Sequence, residues 1–226
     1  MRVAVVTAVY KPKLDWLQQC HESVLAQTHP CTHVLVCDGG AQPKPKAFAG
    51  QIIELQHHHN DWGDTPRSVG ALSAFAQNFD AVLWCDQDNW LEPKHVHQMA
   101  ALQQTSQAPV CTSNRVLWDY QSQRLGICRW TDGRTFVDAN CFFLTRSVAN
   151  FCAVWALMPS EYHLISDRYF LRELHKHRVP MSHTTEPTVN YRTNWAFMYR
   201  TYGRVPPPGA RSDATVDHLI QQLNSN

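Results

Sequence analysis

The sequence predicts an α/β domain with a mainly parallel central sheet and helices on both faces. Three observations predict it. Short, mostly apolar runs recur at Val3 to Val9, His33 to Cys37, Ile52 to Leu55 and Ala81 to Cys85. Longer stretches with helical spacing of apolar residues separate most of them, the order expected of strands buried between helices. The run Val82-Leu83-Trp84-Cys85 ends abruptly in Asp86-Gln87-Asp88, two carboxylates one residue apart. In open α/β sheets, ligands bind outside the carboxyl ends of the strands.

Val3 to Val9 reads as a first buried strand, ended by Lys11-Pro12. Leu14 to Leu25 has helical spacing, with Leu14, Leu17, Val24 and Leu25 as core contacts. His33 to Cys37 is a second strand, stopped by Asp38-Gly39-Gly40, and a Pro- and Lys-rich loop follows from Gln42 to Lys46. Ile52 to Leu55 is a short third strand. Thr65-Pro66 opens a helix to about Phe79, since Pro is tolerated in a first turn. Ala81 to Cys85 is the fourth strand, and a helix from Pro93 to about Gln104 follows.

The second half is less regular. Val110 to Trp118 and Arg134 to Leu144 read as strands; Ser147 to Ala156 and Ser160 to His177 read as helices. The segment from Met181 to Tyr202 is aromatic and polar, Val205 to Gly209 is a break, and Asp213 to Leu223 is a terminal helix. Length suits one domain of 1–226: a ligand-binding half (1–105), a second half (106–204) and a tail (205–226).

Composition excludes several classes. Twenty Lys and Arg against nineteen Asp and Glu leave a net charge of +1, without the basic excess of a nucleic-acid protein. No apolar stretch is long enough to span a bilayer, and the N-terminus lacks the apolar segment and cleavage site of a signal peptide. The expected location is the cytoplasm, with peripheral membrane association through Trp195 to Arg204 as an option. The eight cysteines form no C-x-x-C pair and read as free buried thiols.

Asp86 and Asp88 carry the chemistry. Two adjacent acids repel unless a cation or proton intervenes. A hard divalent cation such as Mg²⁺ pairs one or two carboxylates with substrate phosphates. A metal-bound phosphate ester, and so a nucleotide-dependent enzyme, is one reading; a solvated Asp-Gln-Asp-Asn turn after the strand is the other.

Four pieces then line up in order: Thr7-Ala8-Val9-Tyr10, Asp38-Gly39-Gly40, Pro66-Arg67-Ser68-Val69-Gly70 and Asp86-Gln87-Asp88. Together they resemble the nucleotide-sugar half of family 2 glycosyltransferases, which have the GT-A fold. The resemblance covers about the first hundred residues well and the rest loosely. Lys11 and Ser68 replace the Asn residues usual after the Tyr and after the Arg. The resemblance implies a metal-dependent, inverting transfer of a sugar from a nucleoside-diphosphate sugar, with UDP-sugar favoured, to a saccharide or glycolipid hydroxyl. It implies that Thr7, Ala8, Tyr10, Asp38, Arg67, Asp86 and Gln87 contact the nucleotide-sugar, with Tyr10 stacking on the base. It implies that Asp88, with Asp86, holds Mg²⁺ or Mn²⁺. In Ile165-Ser166-Asp167-Arg168, Asp167 is the implied base, although Ser166 stands where an acid is usual; Glu161 and Asp138 are the fallbacks. Asp138 and Asn140 match the segment under the donor sugar, and His183 a late metal or diphosphate contact.

Other groups are weighed on their residues. Trp118, Trp130 and Trp195 suit a sugar platform or the core. His57 and His59 could share an ion with Asp61, or belong to an ordinary loop. Asp64 suits a cap on the helix at Thr65. A nucleotidyltransferase and a non-catalytic carbohydrate-binding relative are the alternatives; the first lacks a glycine in Tyr10-Lys11-Pro12-Lys13 for a triphosphate loop.

Overall fold

The computed structural model describes residues 1–225; Asn226, the end of the expected tail, lies outside them. The strands are β1 (Val3–Val9), β2 (Cys31–Asp38), β3 (Gln51–Leu55), β4 (Ala81–Trp84), β5 (Trp90–Leu91), β6 (Val110–Trp118), β7 (Arg124–Ile127), β8 (Phe142–Thr145) and β9 (Met181–Arg192). The helices are α1 (Leu14–Leu25), α2 (Asp64–Ala76), α3 (His95–Ser106), α4 (Ala153–Leu157), α5 (Ser166–Lys176), α6 (Ala196–Thr201) and α7 (Ala214–Ser225). The strands form one sheet in the order β3-β2-β1-β4-β8-β6-β9-β5, with β7 paired to β6. β1 to β4, β6 and β9 run in one direction, while β5, β7 and β8 oppose them. The mainly parallel sheet is therefore as expected.

Helices cover both faces of its first half, and side-chain alternation shows how. Val9, Leu35 and Cys37 pack with Leu17 of α1. Val6 and Val36 point the other way, against α2. A Cβ on Gly70 would lie 2.4 Å from Val6 Cγ1 and 2.8 Å from Val36 Cγ2, so glycine lets α2 close onto β1 and β2. Trp84 extends this face by edge contacts to Trp155 of α4 and Phe170 of α5.

The buried face of α1 is Leu17, Cys20, His21 and Val24; Leu14 and Leu25 are half exposed, against expectation. The apolar stripe is completed by a cysteine and a histidine instead. The expected strand over Arg134 to Leu144 shrinks to β8. Asp132 Oδ1 accepts the backbone N–H groups of Arg134, Thr135 and Phe136, and Asp138 opens a 3₁₀ turn over Ala139–Cys141. Side-chain acceptors draw that backbone away from a ladder. The two expected helices of the second half begin as 3₁₀ turns, Arg146–Cys152 and Ser160–Ile165. Strand β9 was unexpected: its parallel register with β6 shifts on both sides of Pro187, which obscures any alternation.

All eight cysteines are free, and seven are buried. Among the described residues no helix is long and apolar enough to cross a membrane. Trp195, Phe197 and Tyr202 pack internally around Leu117, Cys128 and Met198.

Candidate active site

β1, β2 and β4 deliver Tyr10, Asp38 and Asp86 to the same edge of the sheet. The strand order reverses between β1 and its neighbours β2 and β4, and a cleft of about 620 Å³ opens there. Ala8, Tyr10, Asp38, Arg67, Asp86, Gln87, Asp88, Asp138 and Asp167 all line it. Thr7 does not. Its fully buried hydroxyl is shared between His33 Nε2 and the Cys85 carbonyl, so it offers nothing to a base. Asn140 is also fully buried, behind the lining.

Arg67 organises the wall. It sits in the first turn of α2, whose end is capped by Asp61, not by Asp64: Asp61 accepts the backbone N–H groups of Gly63, Asp64 and Thr65. Arg67 Nη1 donates to Asp64 Oδ1 at 2.8 Å, and Nη2 donates to Asp86 Oδ1 at 2.5 Å. Asp64, wholly buried, also pairs with His163 Nδ1 at 2.8 Å. That contact holds the His163 ring above its ordinary pKa, and burial pushes the Asp64 carboxyl up.

The second oxygen of Asp86 accepts from Asn140 Nδ2 at 2.8 Å, and Asn140 Oδ1 accepts the Asp86 N–H. Asn140 also donates to Asp138 Oδ1 at 2.7 Å, while Arg115 pairs with Asp138 Oδ2. Gln87 bridges the ends of β1 and β4 through paired bonds with the Tyr10 backbone, both at 3.0 Å. Asp86, Asp138, Asn140 and Gln87 are thus held by the protein's own groups.

Asp88 and Asp167 differ. The Asp88 carboxylate receives no hydrogen bond from any other described residue; Arg192 binds its carbonyl instead. Burial, then the Asp86 charge, lifts its carboxyl to about 7. Asp167, at the start of α5, takes only the Arg168 backbone N–H, at 2.8 Å. Arg168 turns its guanidinium onto Phe136, and Arg172 binds the Leu223 carbonyl and Glu173, so neither pairs with Asp167. Burial, then Asp138, lifts the Asp167 carboxyl to about 7.

A hard cation fits this donor set in part. Asp88 is an unpartnered oxygen ligand in the cleft, whereas each Asp86 oxygen already accepts a hydrogen bond, in keeping with Asp88 as the more direct ligand and Asp86 behind it. Among the described residues no three His, Cys, Asp or Glu side chains converge on one point. The His57–Asp61 run is not a metal site: His58 and His59 bind Asp38, and Asp61 caps α2. His183 lies outside the cleft, bonded to Thr112 Oγ1 beside a separate pocket with Asp132 and Arg134. Glu161 is exposed and outside the cleft lining. Of the three tryptophans only Trp195 lines the cleft; Trp118 bonds Asn190 and Trp130 packs on Phe197. Residues unmarked in the sequence join the wall: Trp62, His163, Tyr191 and Arg211.

Comparison with known proteins agrees with this geometry. The chain superposes on S. aureus TarS 1–349 in complex with UDP at a TM-score of 0.64 and 12% identity, over 89% of this chain and 63% of that one. For S. aureus TarS the TM-score is 0.64 and the identity 13%, over 88% and 38%. For TarS 1–349 in complex with UDP-GlcNAc they are 0.59 and 11%, over 85% and 59%. At such identities the likeness shows the fold, and the chain spans less than two thirds of these structures. No curated protein matches the sequence. The profile described as "Glycosyl transferase family 2" matches residues 4–161, most of the chain and the whole of the sheet edge from Tyr10 to Asp138, and the chain belongs to that family.

Proposed function

We propose that the protein is a nucleotide-sugar glycosyltransferase that moves a sugar from a nucleoside-diphosphate sugar to a hydroxyl of a saccharide or glycolipid, with inversion. One observation carries the reading: two carboxylates without a side-chain partner, Asp88 and Asp167, line a single cleft whose other acids are held by side-chain hydrogen bonds. Asp88, with Asp86 behind it, would hold Mg²⁺ or Mn²⁺. Such an ion, when bound, offsets the charge gathering on a departing diphosphate.

The chain's own groups do the rest. Arg67 fixes Asp86 and adds positive charge near the phosphates. Asp167 accepts the proton of the acceptor hydroxyl. A carboxyl near pKa 7 is a stronger base than an ordinary aspartate and is still half ionised at neutral pH. TarS structures in complex with UDP and UDP-GlcNAc support a uridine donor for the same fold.

Thermal unfolding against UDP, GDP, ADP and CDP, with and without Mn²⁺, tests the reading, because a ligand of the native state raises the midpoint. A shift with one diphosphate that requires metal is expected. A flat panel from folded protein would sink the reading.

A further inference from the structure

The corner of the cleft formed by Tyr10, Asp38 and His58 is already filled from within. The His58 ring lies parallel to Tyr10, with centroids 3.7 Å apart and planes 4° apart. Its Nδ1 donates to Asp38 Oδ2 at 2.7 Å. A carboxylate can only accept, so this imidazole nitrogen carries its proton. Lys11 Nζ also stands over the Tyr10 ring, 5.0 Å from its centroid. A planar ring with an N–H, stacked on an aromatic and bonded to a carboxylate, therefore sits in the cleft as part of the protein.

We propose that His58 holds the place of the donor's base, and that donor binding requires its side chain to leave. The proposal rests on the nucleotide-sugar reading above. The ligand it implies is a planar heterocycle with a ring N–H, such as uracil or guanine, which can repeat both contacts.

Asp38 is divided to allow the exchange. His59 donates through Nδ1 to Oδ1 at 2.6 Å and through its backbone N–H to Oδ2 at 3.1 Å. When His58 departs, His59 still holds the nearly buried Asp38 in position, and one lone-pair site on Oδ2 opens. His59 is the positioning residue and His58 the placeholder. The His58 side chain is about one third exposed on the loop between β3 and α2 and has solvent to move into. Gly39 permits the stacked position: at φ +77°, it would bring any Cβ to 3.2 Å from His58 Cβ.

Calorimetric titration of UDP, and of GDP where UDP does not bind, in Mn²⁺ tests this on wild type, His58→Ala, His58→Phe and His59→Ala, with folding checked by circular dichroism. His58→Ala should bind UDP roughly 2- to 10-fold more tightly, the worth of an aromatic stack no longer displaced. His58→Phe, which still covers Tyr10, should show no gain, and His59→Ala should weaken binding. In wild type labelled at histidine ¹³Cε1, the signal missing from His58→Ala should shift when UDP is added. Unchanged or weaker binding by His58→Ala, or a His58 signal unmoved as UDP binds, would overturn the placeholder and leave the donor reading intact. If neither wild type nor His58→Ala bound UDP or GDP, the donor reading would fall and this proposal with it.

Discussion

Asp38 and Asp167 line the same cleft, yet the protein treats them in contrary ways. Asp38 receives three hydrogen bonds from two histidines of a neighbouring loop. Asp167 receives one, from the backbone beside it, and burial lifts its carboxyl to about 7. The same division runs through the Asp-x-Asp pair: Asp86 is held by Arg67 and Asn140, while Asp88 has no side-chain partner among the described residues. A carboxylate whose oxygens are satisfied orients its surroundings at little further cost. One left bare in a partly buried site retains its appetite for a cation or a proton. The contrast separates residues that shape the cleft from residues that react in it, and it can be broken by mutation.

The largest effect is expected at Asp88. Asp88→Asn should lower kcat/KM by on the order of 10³-fold, within the range for loss of one transition-state charge contact, with an unfolding midpoint close to wild type. Retained turnover would show that the bare carboxylate is idle.

Asp167→Asn should lower kcat by roughly 10² to 10⁴-fold, as for a lost general base, with UDP affinity unchanged. In wild type the rate should climb as pH rises through about 7, because the base acts only when ionised, and the variant should lose that limb. Stability moves the other way. A carboxyl raised in the folded state favours folding while protonated, and this advantage fades as pH rises from about 4, the unfolded value, through about 7. Asp167→Asn should flatten that decline. Weaker UDP binding in this variant would move Asp167 out of the reacting group.

Removing a member of the held set should strike stability instead. Arg115 is almost wholly buried against Asp138, and Arg115→Ala would strand that carboxylate. Loss of one partner from a buried pair costs about 3–5 kcal/mol, measurable by urea unfolding. A stable Arg115→Ala that lacked only activity would place Asp138 among the reacting groups.

Much of the first half was legible because its signals are local. The apolar runs of β1, β2 and β4 and the acids at their ends lie within a few residues of each other in the chain, and the sheet carries those ends to one edge. Partnership was not legible. His163 lies 99 residues from Asp64 and Asn140 lies 54 from Asp86, and no spacing rule links them. Asp61 and Asp64 illustrate the limit, since either could cap α2 by composition, and only packing sends Asp64 inward to Arg67 and His163.

The second half resisted reading for a related reason. β9 is long and buried towards its end, but Pro187 and two shifts of register erase the period that would announce it. Side-chain acceptors such as Asp132 replaced an expected strand with turns.

Alternation of strands and helices, and the carboxylates at strand ends, were written into the sequence by itself, because hydrophobic period and turn chemistry act over a few residues. Which carboxylates would be held by partners and which left bare, and that His58 would come to lie on Tyr10, were decided only by the tertiary structure. Charge and hydrogen-bond satisfaction depend on what distant segments bring within about 3 Å, and only the closed fold sets those distances.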